Sequence, residues 1–521
     1  MSDIIKNTWH HTAPFFNHPA VLSVSGGILL GMSFNFSALW FLGLVALVPF
    51  LKFLYSGTST RQAFYYGWLM GAVFLGIVYV WAWDSYPLDR FNIYNPVLAI
   101  LVIFFGWSVV ATVLSFFIGI WAALINRIKK RTMADLFVVS VAWIFLEYLR
   151  MWGFALLTIG KGSLLEPHFS LGFVGYILSS NQFLLQLASV GGVYALSFVL
   201  VFINAFVFWI LFISNIATFR KVIVTFSAIA LLFGVAGAGH LFIGQENIAL
   251  EKEQEITVAV LHTSFPSFLL LSEQEKKNRL ALLMDLMATV RNHGELPDII
   301  IFPEDSRFLS TLLEEGKLDT YFANYWGGKK VLLIDSGRVE NKEGEMVSRT
   351  FYYFTDTHQL SWSDKIFLVP QGEYTPYIYQ LFLKSLGQEK LASSFKEYRS
   401  SSPGNSLFSE DYVGTRIGTL LCSEILSPSL YRRLVQEEDV DILVNLSSHA
   451  GFHGSRLLYA QIVNVAKVHA VANRRPFIRA GNFAPSFVID SSGRLISESG
   501  WDGASVIYNQ ITKFPKGGFL P

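Results

Sequence analysis

The sequence predicts a polytopic α-helical membrane half fused to a layered α/β domain, and three observations carry that prediction. Hydrophobic residues make up 52% of the 521-residue chain, more than an ordinary soluble protein holds. Charge is split unevenly, with 12 Lys+Arg and 6 Asp+Glu in residues 1–244 against 28 and 33 in the remainder. Beyond residue 245, short β-forming runs alternate with amphipathic helical patterns, as in a globular domain built of stacked layers. The expected division is therefore 1–244 for the membrane domain and 245–521 for the globular one.

Apolar runs at 19–37, 38–55, 64–83, 96–126, 134–156, 184–214 and 221–243 each approach or exceed the roughly 20 residues that cross a bilayer, so seven spans are expected. The opening residues Met1 to Thr8 lack a basic region, apolar core and cleavage site in that order, so no removable signal peptide is expected. The first span would serve as the targeting signal. Three loops carry basic residues: Lys52 and Arg61; Arg127, Lys129, Lys130 and Arg131; and Arg220 with Lys221. All fall on one side of a seven-span arrangement, which the positive-inside rule makes cytoplasmic. Residue 244 onward is then extracytoplasmic.

Two polar features interrupt the apolar pattern. Glu147 and Arg150 stand three residues apart on one face of the fifth span. They form either a structural ion pair near the membrane surface or a functional membrane-side pair. The stretch from Leu157 to Phe183 mixes apolar residues with Gly160, Gly162 and Gly172 and reads as an interfacial segment beneath the globular half.

In the globular half, strands are expected at 255–261, 298–302, 330–335, 349–356, 415–421, 440–446, 476–482 and 485–490, with helices over 272–291 and 455–473. So many short strands, some joined by helices and some by hairpins, suggest two sheets covered by helices. Residues 377–400 fit neither element, and their mixed amphipathic character suits a lid or membrane-facing arm. A net charge of +1, with no basic-rich segment beyond one short loop, gives no reason to expect nucleic acid as a partner. No Cys/His cluster or Gly-rich phosphate loop asks for a metal or other cofactor.

Cys422 is the only cysteine, so it has no partner for an intramolecular disulfide. It ends a β-forming run and precedes Ser427-Pro428-Ser429, a helix start, which places it in a strand-to-helix turn. A free cysteine can be a small buried hydrophobe, yet an idle thiol in an oxidising compartment is a liability. Two further polar residues occupy similar junctions: Glu304 ends the run Ile299 to Phe302 after Pro303, and Lys365 precedes Ile366 to Pro370. A thiol becomes a strong nucleophile when a base takes its proton or a cation stabilises its charge. Glu304 could supply the base and Lys365 the cation. The lysine could also stabilise an oxyanion beside the backbone N–H of Ser423. Taken singly, each could equally be a helix-end charge or a solvated strand edge.

Together, Phe302-Pro-Glu304, the string Lys365-Ile-Phe-Leu-Val-Pro-Gln-Gly-Glu373-Tyr, and Leu421-Cys422-Ser-Glu424 resemble the Glu-Lys-Cys triad motifs of the nitrilase superfamily. Fusion to a membrane half makes the chain similar to that superfamily's membrane branch, the apolipoprotein N-acyltransferases. Gly27 to Phe34, Leu146 to Trp152 and Leu187 to Phe198 support this outside the triad, and the likeness runs over about residues 20–490.

The resemblance implies an α-β-β-α sandwich for the second half and a two-step acyl transfer. Cys422 would take an acyl chain from a membrane phospholipid as a thioester, then yield it to the N-terminal amine of a diacylglyceryl-cysteine apolipoprotein. Glu304 would be the base, Lys365 the oxyanion stabiliser, Glu373 the residue that orients Lys365, and Glu424 a support of the cleft. The enzyme would be a monomer of the bacterial inner membrane with its catalytic domain on the periplasmic side, needing no cofactor. Three features depart from the family pattern: Ser423 stands where Tyr is usual, Leu446 to Phe452 replaces an Asn-Asp-x-Trp-Phe segment, and the sequence stops at Pro521 before the family's usual closing membrane helix, which is either missing in this member or cut off by truncation. A membrane-tethered nitrilase-type hydrolase and a catalytically dead membrane scaffold are the competing readings.

Overall fold

The computed structural model describes residues 18–215, 255–266, 271–326, 329–398 and 400–512, with isolated positions between 217 and 237. The chain divides into two compact units: Met1–Pro87, Asn95–Phe154 and Ser170–His240 form one, and Leu88–Tyr94, Ala155–Phe169 and Leu241–Pro521 the other. Two short segments of the apolar half, 88–94 and 155–169, thus belong with the globular unit.

The first unit is helical, with α1 (Pro19–Asn35), α2 (Val48–Leu54), α3 (Thr60–Val78), α4 (Pro96–Ile128), α5 (Ala134–Leu157) and α6 (Ala188–Phe208). Among the described residues, four helical stretches are long and apolar enough to cross a membrane: Ser37–Leu54, Pro96–Ile128, Ala134–Leu157 and Ala188–Ile213. The apolar helix α1 is shorter, and the expected span 221–243 lies, but for four positions, outside the described residues. Glycines let α3 and α4 approach closely: a Cβ on Gly67 would stand 2.5 Å from that of Ala122, and one on Gly71 2.8 Å from that of Ser115. The expected span 38–55 is not one helix, since a 3₁₀ segment over Ser37–Leu44 gives way to α2. Asn204 offsets that break, donating to the Gly43 carbonyl at 2.7 Å and accepting from the Leu47 N–H at 2.8 Å.

The second unit holds two six-stranded sheets. In chain order the strands are β1 (Glu255–His262), β2 (Ile299–Ile301), β3 (Leu332–Glu340), β4 (Met346–Phe354), β5 (Leu360–Asp364), β6 (Ser409–Tyr412), β7 (Thr415–Leu421), β8 (Ile442–Ser448), β9 (Phe477–Asn482), β10 (Phe487–Ile489), β11 (Leu495–Glu498) and β12 (Ser505–Thr512). One sheet runs β12-β1-β2-β3-β4-β5 and the other β11-β10-β9-β8-β7-β6. β1, β2 and β3 are parallel, as are β7, β8 and β9. Alternation along each strand separates two cores. Val258, Val260, Ile299, Ile301, Leu332 and Ile334 face Ile417, Leu421, Val444, Leu446 and Ile478 between the sheets. On the outer side, Ala259, Ile300 and Leu333 meet Leu283 and Met287 of α7 (Glu273–Arg291), Leu309 of α8 (Phe308–Glu314) and Phe322 of α9 (Leu318–Tyr325). The other sheet is covered by α12 (Leu430–Glu437) and α13 (Arg456–Asn473), where Tyr431 packs edge-on against Phe477. This is the expected α-β-β-α sandwich.

Residues 377–400 depart from the expectation of neither helix nor strand. They contain α10 (Tyr377–Ser385) and α11 (Glu389–Tyr398), separated at Gly387, whose φ of 69° ends the first helix in the left-handed region.

Candidate active site

Three strand ends of the second unit converge, and each supplies one of the expected residues. β2 runs into Phe302, whose N–H bonds the Ile334 carbonyl at 2.9 Å, and the chain then turns through Pro303 into Glu304. The loop beyond is strained and braced. Asp305 and Arg307 take left-handed φ values of 59° and 58°, and Ser336 pins both, its Oγ accepting from Asp305 N and its carbonyl from Arg307 N, each at 3.0 Å. Buried Asp335 accepts from Leu309 N at 2.7 Å and from the Ser306 hydroxyl. Strain of this kind persists only where the surroundings over-determine it. Here those surroundings brace the loop that directly follows Glu304.

Lys365 leaves β5 with its N–H on the Ser348 carbonyl at 2.8 Å, and its side chain is fully buried. Its ammonium lies 2.9 Å from Glu373 Oε2 and 3.5 Å from Glu304 Oε1. An ammonium carries three protons, so with Glu373 and Glu304 as its two carboxylate neighbours one remains for another oxygen. Glu373 is itself held by the Ser348 hydroxyl at 2.5 Å and Val369 N at 2.7 Å.

Cys422 follows β7 directly and begins the 3₁₀ turn Cys422–Leu426 that precedes α12. Its φ of 48° is left-handed, a conformation a non-glycine residue adopts at a cost. Its carbonyl accepts from Asn445 Nδ2 at 3.3 Å, and its thiol shares a hydrogen bond with Glu304. Glu424 anchors the turn, accepting from Leu421 N at 2.7 Å, Ile366 N at 2.7 Å and Phe367 N at 3.1 Å. One carboxyl thereby ties the cysteine turn to the lysine loop. Half-buried Ser423 lies within the same turn.

The electrostatics follow from burial. It raises the Glu304 carboxyl above the usual range, against the pull of Lys365. The Cys422 thiol is pushed up to about 12 by burial, then by the Glu304 charge, with Lys365 opposing. Burial works against the Lys365 ammonium, but Glu373 and Glu304 outweigh it and hold the group charged. For Glu373 the attraction of Lys365 overcomes burial and lowers the pKa. Glu424 is raised to about 7, burial exceeding the effect of Lys365 and its three N–H donors.

Five expected residues, Glu304, Lys365, Cys422, Glu373 and Glu424, therefore meet in one cluster. Glu147 and Arg150 do not join it. They lie buried in the first unit, where Glu147 Oε1 accepts from Val174 N at 2.9 Å and the Arg150 guanidinium stands 5.0 Å over the Phe173 ring. Other contributors gave no local signal in sequence. From segment 155–169, His168 stacks on Phe367 with centroids 4.3 Å apart, and the Ile159 carbonyl accepts from Tyr377 N at 2.9 Å. From 88–94, Arg90 donates to the Ala450 carbonyl at 2.7 Å and to that of Gly451.

Comparison with known proteins finds family matches in both halves of the chain. Residues 26–206 match the apolipoprotein N-acyltransferase N-terminal domain, and residues 331–513 match the carbon-nitrogen hydrolase domain. An apolipoprotein N-acyltransferase of Geobacter metallireducens is 26% identical over 484 residues, spanning 91% of this chain and 86% of that protein. One from Rickettsia typhi is 24% identical over 390 residues, spanning 74% and 72%. Apolipoprotein N-acyltransferase 1 of Treponema denticola is 22% identical over 518 residues, spanning 92% and 88%.

Proposed function

The chain belongs to the apolipoprotein N-acyltransferase family, and from that premise we propose that it moves an acyl chain from a membrane phospholipid to the N-terminal amine of a diacylglyceryl-cysteine lipoprotein, with Cys422 carrying the acyl group between them. The observation that supports the covalent route is the contact set around one side chain: Glu304 hydrogen-bonded to the thiol on one side and 3.5 Å from the Lys365 ammonium on the other.

In the first step Glu304 takes the Sγ proton as the thiolate attacks an ester carbonyl of the phospholipid. The carbonyl oxygen becomes an oxyanion, which the Lys365 ammonium and the Ser423 N–H stabilise. Collapse expels the lysophospholipid alkoxide, which regains the proton from Glu304 and leaves a thioester. In the second step the lipoprotein α-amine attacks that thioester, Glu304 accepts the amine proton, and the thiolate departs and is reprotonated. A resting thiol near 12 means that attack depends on the adjacent base rather than on a standing thiolate. Raised Glu304 is suited to that duty, since a base works best with its pKa close to the working pH.

Both substrates are lipid-anchored, which gives a physical reason for joining this cluster to apolar helices. The reading places the enzyme in the bacterial inner membrane with the catalytic unit on the periplasmic side. A reporter active only outside the cytoplasm, fused after Asn247, should be active; silence would overturn the topology. Turnover itself is tested with phospholipid and a diacylglyceryl-cysteine peptide. An amide-linked third chain on the peptide is expected, whereas release of free fatty acid alone would identify a tethered hydrolase that uses water as its second nucleophile.

A further inference from the structure

Three carboxyls, Glu304, Glu373 and Glu424, crowd the single Lys365 ammonium within a buried cluster. A desolvated site of this composition is short of positive charge. One other buried cation stands near. Arg479 on β9 has no solvent exposure, although strands inside a sandwich rarely hold a charge. Its Nη1 donates to the Pro485 carbonyl at 2.8 Å and its Nη2 to Ser447 Oγ at 3.1 Å, while Nε has no partner among the described residues. Every direct partner is neutral, so no carboxylate consumes the charge.

Sheet register brings that charge toward the nucleophile. Leu421 on β7 pairs with Leu446 on β8, so Cys422 and Ser447 are the next residues along these neighbouring strands. Adjacent strands lie about 4.8 Å apart, and the Arg479 guanidinium, by bonding Ser447, reaches the strand beside Cys422 at its level. The guanidinium also lies over two aromatic rings, Tyr459 at 5.9 Å and Phe487 at 5.7 Å. The charge is therefore shielded from water.

We infer that Arg479 is the second cation of the active site, a positioning residue that holds the negative charge shared by Glu304 and Cys422 without bonding to either. This rests on the reading of Cys422 as nucleophile. Because the charge stays within the pair when the proton moves from Sγ to the carboxylate, a nearby fixed cation favours both arrangements over a pair protonated from solvent. Burial lowers the Arg479 pKa, and the charges of Tyr459, Cys422 and Glu304 oppose that shift. The other groups in reach are accounted for. Burial lowers the pKa of His262 on β1, opposed by its Gly481 hydrogen bond and aided by Arg479, and burial then Arg479 lower that of His449 beyond β8, so both lean to the neutral form. The Tyr459 hydroxyl donates to Glu498 at 2.6 Å, and Arg338 acts on Glu373.

The test uses the full-length protein in nanodiscs and the alkylation rate of its one thiol by iodoacetamide, measured from pH 7 to 10 without substrate. Loss of a neighbouring opposite charge moves a pKa by about one unit or more, so Arg479→Met should alkylate about tenfold more slowly at each pH. The acid limb of its kcat/KM profile should move to higher pH. Arg479→Lys keeps the charge but loses the two-pronged clamp on Pro485 and Ser447. It should alkylate within about threefold of wild type even where its melting temperature falls. Equal rates in Arg479→Met and wild type would make Arg479 only a clamp of the β9–β10 turn. A folded Arg479→Lys that loses alkylation tenfold overturns the inference too, and decides the matter if Arg479→Met does not fold. Alkylation needs no acyl transfer, so this outcome is separate from the fate of the proposed reaction.

Discussion

Lys365 and Glu373 form a fully buried ion pair of 2.9 Å, and the same ammonium stands 3.5 Å from Glu304. Glu373 thereby fixes the direction of the lysine, since its own oxygens are held by Ser348 and Val369. Removing one partner of a buried pair leaves the other uncompensated, so Glu373→Gln should lower stability by about 3 kcal/mol. Because Lys365 pulls the Glu373 pKa below its ordinary value, the stability this carboxylate contributes is present above the usual carboxylate range and is lost as pH falls through its folded pKa. Wild type should then lose stability on acidification more steeply than Glu373→Gln. Thermal melts from pH 7 down to 3 check this, and parallel curves would refute it.

Lys365→Met keeps length and apolar volume while deleting the charge. If the lysine stabilises the oxyanion, the rate of enzyme acylation should fall by about a hundredfold or more, as removals of oxyanion donors do. Single-turnover measurement with fluorescent phospholipid gives that rate directly. Near-normal acylation in a folded Lys365→Met protein would remove the lysine from the mechanism.

A thiol pushed up to about 12 carries little thiolate at neutral pH. Alkylation by iodoacetamide should consequently be slow at pH 7 and climb about tenfold per pH unit through pH 10. A plateau reached below pH 8 would mean that Cys422 rests as a thiolate, and that Glu304 is not needed to deprotonate it.

Much of the site was legible because its residues sit where one local pattern gives way to another. Glu304 and Cys422 each close an apolar run, and Lys365 opens one. Strands β5, β6, β11 and β12 went unread for a related reason. Leu360–Asp364 and Ser409–Tyr412 are edge strands rich in Ser, Asp and Glu, without the apolar alternation that burial on one face imposes. The pairing of β1 with β12 joins residues about 250 positions apart, a contact no local period encodes. Arg90, His168 and Arg479 were missed for the same reason, their partners being distant in sequence. Only Arg479 carried a hint, a charge inside the apolar run Phe477-Ile-Arg-Ala.

The central claim is that the acyl group rests on Cys422 before any amine arrives, and intact-protein mass spectrometry after incubation with phospholipid alone tests it most directly. The mass should rise by one acyl chain, the adduct should be released by hydroxylamine as a thioester is, and it should be absent from Cys422→Ser and Cys422→Ala. The alanine variant should remain folded, since trimming this one small side chain costs only about 1 to 2 kcal/mol. Transfer to the lipoprotein amine by a Cys422→Ala protein, with no adduct on the wild type, would contradict the account and leave the cysteine a packing residue.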